Sequence, residues 1–168
     1  MKKFFFPLLF SPLFISGCSF NYQSKETIDT KTVQSSKPRN GTLHESQYKA
    51  IILVSSHIYN TNRQPNTDYQ SSAKLVSKIL ENSLSMNVPP TINSLLKLGK
   101  TISFEHIEKL ETGDLLFFSV DENNSQANKV GVYITEGKFI TSLEDGTVLL
   151  NDLNKRAWSK NLHSIKRL

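Results

Sequence analysis

The chain changes its hydrophobic rhythm three times. Residues 4–16, FFFPLLFSPLFIS, form an apolar run behind Lys2 and Lys3. The run is too short to span a bilayer and is interrupted by Pro7 and Pro12. Residues 19–45 are polar and mixed in charge, with too few apolar side chains to fold alone. From residue 46 the pattern becomes periodic. SQYKAIILVSSHIY (46–59) predicts a helix, with a buried strand over Ile51–Val54 as the alternative. NTNRQPNT (60–67) is turn-rich. In NTDYQSSAKLVSKIL (66–80), Asp68 is placed to cap a second helix, whose stripe is Ala73, Val76, Ile79 and Leu80. Pro89 and Pro90 break the chain, INSLLKLG (92–99) reads as a short helix ended by Gly99, and FEHIEKL (104–110) as a further helical turn or a loop.

The last rhythm is that of strands. GDLLFFSV from Gly113 reads as a strand buried on both faces. KVGVYIT and GKFITS read as a hairpin turning near Glu136-Gly137, and TVLLND and HSIKRL as two more strands. Helices first and a mostly antiparallel sheet afterwards is the α+β pattern. The 168 residues suffice for one domain with a core, plus appendages. The predicted division is a signal peptide at 1–18, a flexible tether at 19–45 and a folded domain at 46–168.

ISGC, ending at Cys18, resembles the lipobox of bacterial lipoproteins. The resemblance implies cleavage before Cys18, thioether lipidation of its sulfur, and acylation (palmitate) of the new terminus. A plain secretory signal with an incidental cysteine is the alternative. Ser19 follows directly, where many Gram-negative bacteria read aspartate as inner-membrane retention. The expected location is therefore the periplasmic face of the outer membrane, given a two-membrane host. As a coil the tether would span about 30 Å, and about 90 Å pulled straight. Cys18 is the sole cysteine, so no intramolecular disulfide can form and the domain carries no thiol.

The first 18 residues hold two lysines and no acid, so their removal takes the formal charge from +5 to +3. The remaining basic cluster, Lys155, Arg156, Lys160, Lys166 and Arg167, reads as a solvated rim or a contact for anionic wall polymer or lipid. It has no aromatic interleaving, and a nucleic-acid partner is not expected. The histidines His44, His57, His106 and His163 show no metal-ligand spacing, and no metal or cofactor is expected.

Four strings, in this order, resemble the NlpC family of cell-wall cysteine peptidases: VPPTINSLLKLGKTIS, LETGDLLFF, KVGVYITEGKFITS and AWSKNLHSIKRL. The resemblance covers roughly residues 46–168. It implies a papain-like α+β fold, with N-terminal helices on the sheet, and cleavage of peptidoglycan stem peptides between D-glutamyl and diamino-acid residues. In that family a cysteine within Asp-Cys-Ser-Gly opens a helix, where the dipole and an imidazole favour thiolate. A histidine before Val-Gly-Ile-Tyr is the base, and a polar residue after Phe-Ile orients it.

Carried over from the resemblance, Asp68 matches the aspartate, Tyr69 stands in the cysteine position, Lys129 in the base position and Thr141 in the orienting position. Tyr59 matches a tyrosine near the family's cleft, without the glycine pair that should follow it. The expected cleft is thus Tyr59, Asp68, Tyr69, Lys129 and Thr141, with no catalytic residue expected among them. A phenol and an ammonium, with reference pKa values of about 10 and about 10.4, are poor replacements for thiolate and imidazole. A Tyr69–Lys129 dyad would need burial to lower the lysine's pKa. Ser71 or Ser72 with His57 or His106 is a further arrangement, which would need rebuilt geometry. The expectation is a lipid-anchored envelope protein whose domain binds peptidoglycan or an envelope partner without hydrolysis, Tyr69 facing Lys129 across the old cleft. The alternative is a murein endopeptidase with a non-cysteine nucleophile.

Overall fold

The computed structural model describes residues 43–120 and 126–168. Residues 1–42, with the signal, Cys18 and nearly all of the tether, lie outside the described part, as does the side chain of His106. The first helix, α1 (Glu45–Thr61), begins one residue before the expected domain boundary, and Leu43 already packs against the core. The Ile51–Val54 run is helical, because Ile51, Ile52, Ser55, Ser56, Ile58 and Tyr59 recur on one buried face. No helix among the described residues is long and apolar enough to cross a membrane.

Helix α2 (Ser72–Leu84) buries Ala73, Leu75, Val76, Ile79 and Leu80. It ends where Ser85 turns left-handed at φ 56°, its N–H bonding the carbonyl of Glu81. The short α3 (Ile92–Leu95) follows the proline pair, capped by Thr91, and Gly99 lies beyond its end. FEHIEKL forms a 3₁₀ turn over Phe104–Lys109.

Six strands form one antiparallel sheet: β1 (Lys100–Ile102), β2 (Leu115–Phe118), β3 (Lys129–Thr135), β4 (Lys138–Ser142), β5 (Val148–Asp152) and β6 (Leu162–Arg167). Their spatial order is β1-β6-β2-β3-β4-β5. The hairpin β3–β4 turns at Glu136 and Gly137, both at positive φ (50° and 77°), as the sequence predicts. Two elements escaped prediction. β1 is three residues long, mostly exposed, paired with β6, and its Ile102 packs against the second core. The four-residue helix α4 (Arg156–Ser159) carries no periodic stripe and is anchored by Trp158.

The central strands β2, β3 and β4 are buried on both faces, as LLFF predicts. Leu115, Phe117, Val130, Val132 and Ile140 join the helices in the larger core. Leu116, Phe118, Tyr133, Phe139 and Ile165 form a second core with Leu153 and Trp158. There the Phe118 and Phe139 rings stack at 5.0 Å, and Trp158 meets them edge-on at 5.0 and 5.1 Å. Each of these fully buried apolar side chains contributes about 1.5–3 kcal/mol by leaving water. That fixes the sheet as the rigid wall against which α2 is placed.

At the strand entry, Asp114 is 2 % exposed and takes a two-point contact from Arg167: Nε to Oδ1 at 2.9 Å and Nη2 to Oδ2 at 2.7 Å. Arg167 Nη1 reaches Glu111 at 3.0 Å, and Glu111 accepts the Tyr48 hydroxyl at 2.8 Å. Thus α1, the start of β2 and the end of β6 are tied by one polar cluster.

Candidate functional site

The helix start departs from the expected register. Asn66 caps a 3₁₀ turn over Thr67–Tyr69 by accepting the N–H of Asp68 at 2.9 Å. The α-helix begins only at Ser72, capped by Ser71, whose Oγ accepts the N–H of Lys74 at 3.2 Å. Asp68 is therefore an exposed turn residue that caps nothing, and Tyr69 lies three residues before the helix. Two competent N-caps, Asn66 and Ser71, stand five residues apart, and each opens its own element. The apolar pair Leu75-Val76, one turn past Ser71, is the sequence signal that favours the later start.

Two shallow depressions flank this start, meeting at Pro90. One, of about 450 Å³, is bounded by Asp68, Tyr69, Lys74, Lys78 and Glu81. The other, a notch of about 370 Å³, lies between Ser71-Ser72, Asn128-Lys129 and Ser142–Glu144. Tyr69 and Lys129 thus occupy different depressions and do not pair. Tyr69 is half-buried against the larger core, and burial, then the charge of Asp68, push its phenol pKa up. Tyr59 is 4 % exposed, a core residue with the Arg63 guanidinium 4.7 Å from its ring centre, and it lines neither depression. His57 is exposed on α1, also outside both.

What the fold brings to Lys129 is Ser72. Its Oγ accepts the backbone N–H of Val130 at 3.0 Å, and Ser72 is 6 % exposed. The hydroxyl of Thr141, fully buried, donates to the carbonyl of the same Val130 at 2.7 Å. Pairing between β3 and β4 begins at Val132, so the Val130 peptide is satisfied by these two side chains. The Lys129 Nζ donates to the carbonyl of Ser142 at 3.2 Å. Burial pushes its pKa down, and the charge of Glu144 acts in the opposite direction. Among the described residues no group of three His, Cys, Asp or Glu side chains is placed to hold a metal.

Chemically, the notch offers a buried serine hydroxyl at a helix start and a half-buried lysine beside it; the threonine hydroxyl of Thr141 lies behind it, spent on the backbone. It offers neither a thiol nor an imidazole.

The chain is 30 % identical over 105 residues to murein DD-endopeptidase MepH of Escherichia coli K12, covering 62 % of this chain and 38 % of that protein. A relative from Haemophilus influenzae is 28 % identical over 93 residues, 55 % of each chain. The chain therefore matches little more than half, at most, of either relative's length.

Two solved structures share the fold. A Staphylococcus aureus NLP/P60 protein described as similar to lipoprotein superposes with a TM-score of 0.60 at 17 % identity, over 82 % of this chain and 45 % of that one. RipD of Mycobacterium tuberculosis superposes with a TM-score of 0.54 at 11 % identity, over 74 % of this chain and 99 % of that one. The sequence model of the NlpC/P60 family matches residues 55–167, from within α1 to the end of β6, and the chain belongs to that family.

Proposed function

We propose that this is a lipid-anchored protein of the bacterial envelope whose NlpC/P60 domain binds peptidoglycan stem peptides without cleaving them. Residues 1–18 would be the signal, Cys18 the lipidated residue and 19–45 the tether. With serine after Cys18, the anchor would sit in the outer membrane, facing the periplasm. On this reading the family's nucleophile position is Ser72, the first residue of α2, rather than Tyr69, with Lys129 in the base position and Thr141 in the orienting position; the shared notch of Ser72 and Lys129 supports it.

One observation carries the non-hydrolytic reading. The hydroxyl at the start of α2 is held by the Val130 N–H, beside a lysine and not an imidazole. The Val130 N–H withdraws electron density from an oxygen that would have to attack, and no imidazole is present to take its proton. Substrate contacts and reacting groups are separable parts of a site, so recognition can outlast chemistry. RipD, which shares this fold, is described as a non-catalytic protein adapted to peptidoglycan binding. It is a precedent for the fold alone.

A second reading has its own support. Ser72 and Lys129 line one notch, and burial lowers the lysine's pKa, as a serine–lysine hydrolase would require. The full chain, purified in detergent and incubated with muropeptides, separates the two. Retention of intact stem peptides supports the binding reading. Release of cleaved peptides that is lost in Ser72→Ala and Lys129→Met establishes the hydrolase. The anchor is tested separately: Cys18→Ser should abolish metabolic labelling by palmitate, and labelling that persists would refute lipidation at Cys18.

A further inference from the structure

Among the described residues, the notch beside α2 holds a cation without a paired anion. Lys129 is half-buried, and its ammonium has one hydrogen bond, to the Ser142 carbonyl. Among the described residues no carboxylate forms an ion pair with it. Glu144, exposed on the rim, acts only through space. Ser142 forms part of the same wall, is 1 % exposed, and its hydroxyl has no hydrogen-bond partner among the described residues.

The third wall is the start of α2. The first N–H groups of a helix have no acceptor within it. Ser71 takes the N–H of Lys74, which leaves those of Ser72 and Ala73, both in the notch wall, without one. The helix runs 13 residues, so its positive end is fully developed. The Lys129 ammonium and the two peptide N–H groups are donors, and among the described residues none has a charged acceptor. A half-buried charge is costly until an opposite charge arrives, and a carboxylate accepts from several donors at once.

We propose that the notch is a carboxylate-binding subsite. On the reading given above, on which this rests, it seats the free C-terminal carboxylate of a stem peptide, so that the domain distinguishes peptides with an exposed end from those continued or cross-linked there. The volume of about 370 Å³ falls in the range that takes a small ligand. The carboxylate would replace the Ser142 carbonyl as the main acceptor for Lys129. The same carboxylate chemistry is present on the side chains of glutamyl and diamino-acid residues, and the test has to separate these sources.

Calorimetry with the full chain in detergent would compare a stem peptide in three forms: free acid, C-terminal amide, and side-chain amide. The C-terminal amide should bind at least tenfold more weakly than the free acid, with the side-chain amide unchanged. Lys129→Met should erase the preference and Lys129→Arg retain it, while Lys74→Met, in the other depression, should leave it intact. Equal binding of all three forms overturns the subsite and leaves the peptidoglycan reading standing. Loss on side-chain amidation alone overturns the assignment to the C-terminus. A smaller probe distinguishes failure of the larger reading. If no stem peptide binds but N-acetyl-D-alanine shifts the Lys129 and Ser142 NMR signals and its amide does not, the subsite survives and the peptidoglycan reading fails. No response to either form overturns the subsite outright.

Discussion

Ser72 Oγ accepts the backbone N–H of Val130 at 3.0 Å, joining the first residue of α2 to the second residue of β3 across a separation of 58 positions. Both groups are buried, and the bond sets where the helix start lies against the sheet. It also accounts for Tyr69 and Lys129 lining different depressions. The turn that holds Tyr69 is closed by Asn66 before the helix begins, and Ser72 is the residue delivered to the strand.

Ser72→Ala should therefore cost about 1–3 kcal/mol, because the Val130 N–H would be left buried and unpaired. Thr141→Val should cost a comparable amount by stranding the Val130 carbonyl, and the double variant should cost less than the sum, since both act on one peptide unit. Urea unfolding of the three variants measures this. Full additivity would show that the two hydroxyls are independent.

Arg167 presents a larger liability. Its guanidinium is the charged partner of Asp114, which is 2 % exposed. Arg167→Met should destabilise by about 3–5 kcal/mol, because it leaves a buried carboxylate without its cation. Arg167→Met with Asp114→Asn should recover part of that loss. A double variant no more stable than Arg167→Met would mean that packing of the arginine stem, not the buried charge, is at stake.

The phenol of Tyr48 makes the same cluster sensitive to alkali. Burial first, then its bond to Glu111, push its pKa up to about 12. A raised folded-state pKa means that the folded form holds its proton more tightly. The stabilisation is complete below pH of about 10, the unfolded value, and is lost as pH rises through about 12. The phenol is partly open to solvent, so screening reduces the loss to about 1 kcal/mol. Denaturant midpoints of wild type and Tyr48→Phe, taken on both sides of this window, should diverge less at the alkaline end. A constant difference would remove Tyr48 from the alkaline response.

The core was legible in the sequence because periodicity reports burial directly. LLFF and VGVY read directly as strands, whereas Ile51–Val54 allowed either a helix or a buried strand until the buried face that runs on to Tyr59 selected the helix. β1 and α4 were not legible, since each is too short for a period and depends on contacts with distant residues: β6 for one, and Phe118 and Phe139 for the other. Lys129 and Thr141 lie in strands whose motifs were legible; Lys129 lines the notch, and Thr141 is buried behind it, bonded to the Val130 carbonyl. The helix start was misjudged for a physical reason. Asp68 and Ser71 both have capping side chains, and only the packing of Leu75 and Val76 selects between them.

That ambiguity yields the sharpest test of which residue stands at the family's nucleophile position. A thiol at the first residue of a helix, near an ammonium, ionises more readily than a free cysteine, whose pKa is about 8.5. In a Cys18→Ser background, Ser72→Cys should alkylate with iodoacetamide along a pH curve shifted below that value. Tyr69→Cys, ahead of the helix and beside the carboxylate of Asp68, should show no such shift. Adding Lys129→Met should return the Ser72→Cys curve towards 8.5, because the neighbouring positive charge is gone. If instead Tyr69→Cys proved the more acidic thiol, Ser72 would lose its claim to the nucleophile position, and the cleft would have to be redrawn around the other depression.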